Sequence, residues 1–173
     1  MHIAIVSGEY PPRWGGIGSV VFHLSGHLVE LGHDVTIITR SHKQIAPSQE
    51  GVEVISVKWA PLPMAFTRSY GKHAIKALKK LHQKKPIDVI NAHLPLVSWK
   101  KKEFVWLSDN IAPVVSCLHG SWLGEKEGVK RAAAAKESAT WRNPNDLAIL
   151  LTSNWYSKYE RAGILKSSIC VSN

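Results

Sequence analysis

Residues 3–18 read Ile3-Ala4-Ile5-Val6-Ser7-Gly8-Glu9-Tyr10-Pro11-Pro12-Arg13-Trp14-Gly15-Gly16-Ile17-Gly18. Four consecutive apolar residues form a short run typical of a strand covered on both faces. A loop closing on three glycines follows. From Gly18 a helical pattern begins, with Val20, Leu24, Leu28 and Leu31 on one stripe. Gly18 or Ser19 is placed to cap its start, and Gly32 marks its end. Strand, glycine loop and helix in this order predict the first unit of an open α/β sheet.

The remaining chain repeats the alternation. Val35–Thr39 and Val52–Val57 read as strands two and three, and Pro61 and Pro63 then break the chain. Tyr70–Gln83 has a helical stripe of Ala74, Ile75, Leu78 and Leu81. Ile87–Ile90 is a fourth strand, and Leu96–Ser108 a helix. Pro113–Leu118 is a fifth strand, followed by a helix over Val129–Ala139. Leu147–Leu151 reads as a sixth strand, Trp155–Arg161 as a helix, and Ile169–Val171 as a final strand. About seven strands with helical crossovers predict a doubly wound, mostly parallel, Rossmann-like sheet in three layers. Ligands of such sheets bind at the carboxyl ends of the strands.

The chain has 173 residues, with 22 Lys and Arg against 13 Asp and Glu, a formal charge of +9. Hydrophobic residues make up 45%, enough for a packed core and incompatible with bulk disorder. The charge is local. Arg68, Lys72, Lys76, Lys79, Lys80, Lys84 and Lys85 form a run without an acid, and Lys100, Lys101 and Lys102 add a second patch. No aromatic residues interleave with these lysines, so base stacking is unsupported and nucleic acid is not an expected partner. The Lys72–Lys85 helix has either a solvated lysine face or a surface for an anionic membrane or polymer. No apolar run reaches the ~18 residues of a spanning helix. Nor does the start have the basic leader of a signal peptide. A cytoplasmic protein, peripheral to the inner membrane face at most, is the expectation. Cys117 and Cys170 lie in apolar stretches and read as buried free thiols.

The strand ends carry the chemistry. Gly15, Gly16 and Gly18 let backbone amides approach a ligand, and the helix start behind them favours an anion such as phosphate. Arg13 can add a charged fork. The dinucleotide fingerprint fails here, because Gly16-Ile17-Gly18-Ser19-Val20-Val21 lacks the third glycine. No P-loop and no G-x-S-x-G elbow occur. Arg40, closing the second strand, hints at an NADP-linked oxidoreductase. His93 and His119 stand at the ends of strands four and five, placed to bind, orient or exchange protons. His23 and His27 are spaced i, i+4 without the glutamate of a zincin helix, and the cysteines lack zinc spacing, so no metal site is expected.

In order, Glu9-Tyr10-Pro11-Pro12-x-x-Gly15-Gly16-x-Gly18, Leu31-Gly32-His33-Asp34-Val35-Thr36, Asp88-Val89-Ile90-Asn91-Ala92-His93, Val114–Gly120 and Leu151-Thr152-Ser153 resemble the N-terminal domain of retaining GT-B glycosyltransferases of group 1 (family 4), which includes glycogen and starch synthases. The resemblance implies transfer of a sugar from a nucleotide-diphospho-sugar to an acceptor. It puts Gly15 and Gly16 at the donor diphosphate, with Arg13 where the glycogen synthases have the lysine of K-x-G-G. It makes His119 the catalytic strand-end histidine near the transferred sugar, and turns His93 and the Trp122 segment towards a sugar or lipid-linked acceptor. No cofactor is implied beyond the nucleotide-sugar co-substrate. Asn91-Ala92-His93 departs from the family's frequent His-Ala-His, and Cys117 stands where a threonine is common.

The last residues, Ile169-Cys170-Val171-Ser172-Asn173, resemble the family's Ile-x-Val-x-Asn-Gly hinge up to its glycine. Residues 1–173 are then one acceptor-side domain, with the nucleotide-sugar domain and its E-x7-E glutamates absent, and the domain alone is expected not to turn over. A non-catalytic sugar- or polyanion-binding module is the alternative.

Overall fold

The computed structural model describes residues 1–12, 15–44, 47 and 49–172. Among these, six strands form one parallel sheet in the order β3-β2-β1-β4-β5-β6. The strands are β1 (His2–Val6), β2 (Asp34–Arg40), β3 (Val52–Val57), β4 (Val89–Leu94), β5 (Val114–Leu118) and β6 (Ile169–Ser172). The helices are α1 (Gly16–Glu30), α2 (Ala65–Lys84), α3 (Lys101–Asn110), α4 (Trp122–Ala134) and α5 (Pro144–Lys166). The strand order reverses between β1 and β4, which opens a crevice at their carboxyl ends.

Alternation along the strands builds two cores. Ile3, Ile5, Val35 and Ile37 face α1, joined by Val21 and Tyr10. Ala4, Val6, Ile38, Ile90, Ala92 and Leu94 face the other way. There they meet Tyr70, Ala74 and Leu78 of α2, Phe104 and Leu107 of α3, and Ala162 of α5. Three layers result. Arg68 on α2 grips Glu103 on α3 through two hydrogen bonds of 2.6 Å, pinning the two helices together. Burial pushes the Glu103 carboxyl up, but the Arg68 guanidinium and the Lys100 amide outweigh it and hold it below its ordinary range.

Several expectations are corrected. Leu147–Leu151 is not a strand but lies inside α5, continuous with the helix expected over Trp155–Arg161. The Asn143 side chain accepts from the Asn145 and Asp146 amides and Pro144 opens the helix, while Leu and Ala favour its continuation over a strand. The sheet therefore has six strands. α1 starts two residues early, with Gly15 as its N-cap, and its buried face is Gly18, Val21 and Ser25 rather than the leucine stripe. Val20 and Leu31 are exposed. Small residues there let the helix approach the sheet, a signal that counting hydrophobic residues overlooks.

α2 begins at Ala65 rather than Tyr70, and α3 at Lys101 rather than Leu96. α4 occupies Trp122–Ala134, upstream of the helix expected over 129–139. β4 extends to Leu94, so His93 lies within the strand. Cys117 is half-buried and Cys170 exposed, so the expected pair of buried thiols is not found.

Candidate active site

The loop after β1 is folded on itself. The Ser7 hydroxyl donates to the Glu9 carbonyl at 2.6 Å and accepts from the Glu9 amide at 3.2 Å. Arg40, buried at the end of β2, donates through Nε to the Gly8 carbonyl. Its guanidinium lies 4.8 Å from the Trp59 ring centre and 4.5 Å from that of Phe66. An arginine so enclosed has a structural task, and the NADP reading built on it is set aside.

The chain then turns into α1. Among the described residues no side chain caps Gly15, and no acid lies in the first turn. Glu9 reaches back instead, and its Oε2 accepts from the Gly18 amide at 3.3 Å. A Cβ on Gly15 would collide with that carboxylate, whereas a Cβ on Gly16 would meet none of the described residues within 4 Å. Gly16 thus presents exposed backbone at the positive end of a helix, open to a ligand. Arg13 lies outside the described residues.

Across the switch point, β4 and β5 deliver the two histidines. Alternation puts Asn91 and His93 on the face opposite Ala92 and Leu94. His93 is fully buried, and its Nδ1 lies 2.8 Å from His119 Nε2. The rings are nearly parallel, 13° apart with centres separated by 5.0 Å. Burial, then the neighbouring His119, push the His93 pKa down to about 3, so it is neutral at physiological pH. Burial also lowers His119, opposed by the charge of Glu9. One electrostatic neighbourhood thereby links His119 to the glycine loop. Asn91 donates to the Cys117 sulfur at 3.5 Å beside this pair.

After His119, Gly120 takes a φ of 142°, a backbone state that favours glycine, and Ser121 caps α4 by accepting from the Gly124 amide at 3.0 Å. Trp122 opens α4, but its indole is buried against Met64, Leu96, Tyr156 and Tyr159 rather than presented at the surface. Its backbone amide donates to Oε1 of buried Glu160 at 2.7 Å. Burial raises the Glu160 pKa to about 7, against the lowering effect of that hydrogen bond.

The site therefore joins Gly15 and Gly18 to Glu9, with Gly16 open beside them, Glu9 electrostatically to His119, and His119 to His93. Trp122 takes part as a buried support. Sequence reasoning quoted Glu9 without giving it a role, and it gave Glu160 no place. Glu9 could have been found from its position ahead of a helix start that lacks an acid or a capping side chain. Among the described residues no group of three or more His, Cys, Asp or Glu is placed to hold a metal ion.

The family model described as Glycosyltransferase Family 4 matches residues 14–173. The chain belongs to Glycosyltransferase Family 4. This family member is 34% identical over 158 residues to glycogen synthase of Mycobacterium tuberculosis, an alignment covering 79% of the chain. The chain spans only 38% of that relative's length. In fold it is similar to sucrose-phosphate synthase from Thermosynechococcus elongatus, with a TM-score of 0.60, 16% identity, and coverage of 99% of this chain and 47% of that one. Os79 from O. sativa, solved in complex with UDP, gives the same TM-score at 13% identity, covering 99% of this chain and 45% of that one. The family-4 domain thus has the Rossmann-like fold of GT-B glycosyltransferases.

Proposed function

We propose that this chain is the acceptor-side half of a retaining glycosyltransferase that moves a sugar from a nucleotide-diphospho-sugar to an acceptor. The observation that carries this reading is the open backbone of Gly16 at the start of α1, beside the β1–β4 switch point. Gly15 and Gly16, with Arg13, receive the donor diphosphate. His119 lies near the transferred sugar, with His93 and the Trp122 segment on the acceptor side. Catalysis is positioning and electrostatic support of the leaving diphosphate, without a protein nucleophile. No cofactor is required beyond the nucleotide-sugar co-substrate.

A second nucleotide-binding domain completes the enzyme, consistent with the 38% span of the glycogen synthase relative. The test is transfer from a panel of nucleoside-diphosphate sugars, assayed for the 173-residue chain alone and for the same chain joined to a family-4 second domain. Turnover is expected only in the joined protein. Steady transfer by the chain alone contradicts the half-enzyme reading, and nucleotide-sugar binding absent from both favours a non-catalytic module.

A second surface supports a peripheral role at an anionic, cytoplasmic membrane face. Lys72, Lys76, Lys79 and Lys102 line a groove of about 530 Å³ between α2 and α3, with Ile75 and Trp106 as its apolar floor. The Lys79 ammonium stands 3.8 Å from the Trp106 ring centre. Lysines around an indole suit a lipid headgroup region. No helix among the described residues is long and apolar enough to cross a membrane. Sedimentation with phosphatidylglycerol vesicles, lost in Lys79→Glu/Lys80→Glu and in high salt, is expected. Equal retention on phosphatidylcholine vesicles refutes this contact.

A further inference from the structure

We propose that His93 is a positioning residue: its Nδ1–H donates to Nε2 of His119 and holds His119 as the Nδ1–H tautomer. The strand register makes this a fixed encounter. β4 and β5 pair His93 with Cys117, and two residues later the His119 amide donates to the Leu94 carbonyl at 3.2 Å. The His93 imidazole is therefore anchored by β4 and that of His119 by backbone directly after β5, and 2.8 Å separates one ring nitrogen of each.

A single proton lies between those two nitrogens, and there are two ways to place it. If His119 donates, Nδ1 of neutral His93 is the acceptor and its proton sits on Nε2. That Nε2 is buried without a hydrogen-bond partner, so this arrangement strands an N–H donor in the interior. If His93 donates, the stranded atom is a bare acceptor. Orphaned buried donors are rarer than under-satisfied acceptors, and each lost donor bond costs the full desolvation of the group. A charged His93, donating from both nitrogens, is excluded by its pKa of about 3. The second arrangement is the one that fits.

The consequence falls on His119. Its Nε2 lone pair is engaged, so the ring is closed as a base at that atom and carries its proton on Nδ1. Resting on the glycosyltransferase reading, it is in this tautomer that His119 stands near the transferred sugar. His93 acts through His119 and does not itself touch the acceptor. This narrows the acceptor-side role given to it above.

Long-range 1H–15N correlation of histidine side chains in the 173-residue chain at neutral pH reads the tautomer directly. His119 is expected to show a pyrrole-type Nδ1 and a pyridine-type Nε2. In His93→Leu, His119 should shift to a majority Nε2–H form. In His93→Gln, whose amide N–H can donate, the wild-type pattern should be retained at least in part. A pyrrole-type Nε2 on wild-type His119 overturns the proposal, as does a tautomer unchanged in a folded His93→Leu. Should His93→Leu not fold, the wild-type and His93→Gln spectra decide. Failure of the glycosyltransferase reading would appear separately, as nucleotide-sugar binding absent from the joined protein, and would leave the tautomer result standing.

Discussion

The carboxylate of Glu9 accepts the backbone amide of Gly18 at 3.3 Å, so the first turn of α1 already holds a negative charge of the chain's own. A donor phosphate arriving at Gly16 meets that charge, and the two compete for the same helix terminus. Glu9→Gln is expected to bind inorganic pyrophosphate roughly 2- to 5-fold more tightly at low salt, the equivalent of about 0.5–1 kcal/mol at a helix end. Titration calorimetry on both proteins checks it, and equal or weaker binding by the variant counts against competition.

The neighbouring glycines separate ligand approach from folding. Gly16→Val puts a side chain into open space, so thermal stability should change little while pyrophosphate binding falls. Gly15→Ala drives a methyl group into Glu9, so it should displace that carboxylate and lower the melting temperature. If Gly16→Val binds pyrophosphate normally, the assignment of this backbone to phosphate is wrong.

The Arg68–Glu103 fork gives a pH-dependent stability term. Glu103 has a depressed folded pKa, so its contribution is present above the ordinary carboxylate range and is lost as pH falls through the folded value. With both side chains largely buried, at 13% and 20% exposure, Arg68→Leu should cost about 1–3 kcal/mol at pH 7. The difference from wild type should shrink in urea melts below about pH 4. A gap that does not vary with pH argues that packing, not the ion pair, is what the arginine provides.

Glu160 behaves in the opposite sense. Its folded pKa is raised to about 7, so burying its ionised form opposes folding above that pH. Between the unfolded carboxylate value and pH 7 the native state holds the extra proton, and stability falls as pH rises. Glu160→Gln keeps an acceptor for the Trp122 amide and should be more stable than wild type by about 1–3 kcal/mol at pH 8. The gain should disappear near pH 4, and denaturant melts at the two pH values measure it.

Most of the sheet was legible because β1 and β5 are short, largely apolar runs and β2 and β3 are rich in β-branched residues, all bounded by polar or glycine signals. The Leu147–Leu151 run was misread because an apolar stretch of that length suits either period, and the cap formed by Asn143 and Pro144 decides the outcome. The place of the glycine loop before α1 and of His119 just after β5 was legible from position alone, whereas His93 lies inside β4 and not at its end. The His93–His119 contact was not, because it depends on β4 running on to Leu94 and on the lateral register of two strands. The contact of Glu9 with Gly18 was missed for a related reason, since that amide is nine residues away across a turn, although the uncapped, acid-free start of α1 pointed to a nearby carboxylate.

Arg40 gives the molecule two kinds of positive charge that respond differently to ionic strength. The exposed lysines of α2 sit in water, where added salt screens any partner within a Debye length. The Arg40 guanidinium is 6% exposed, flanked by Trp59 and Phe66 and joined to the Gly8 carbonyl. Its hold on the exit of β1 is therefore much less open to screening by counterions than the lysine face. Brine that strips the lysine face of its partners should leave the glycine loop where it is.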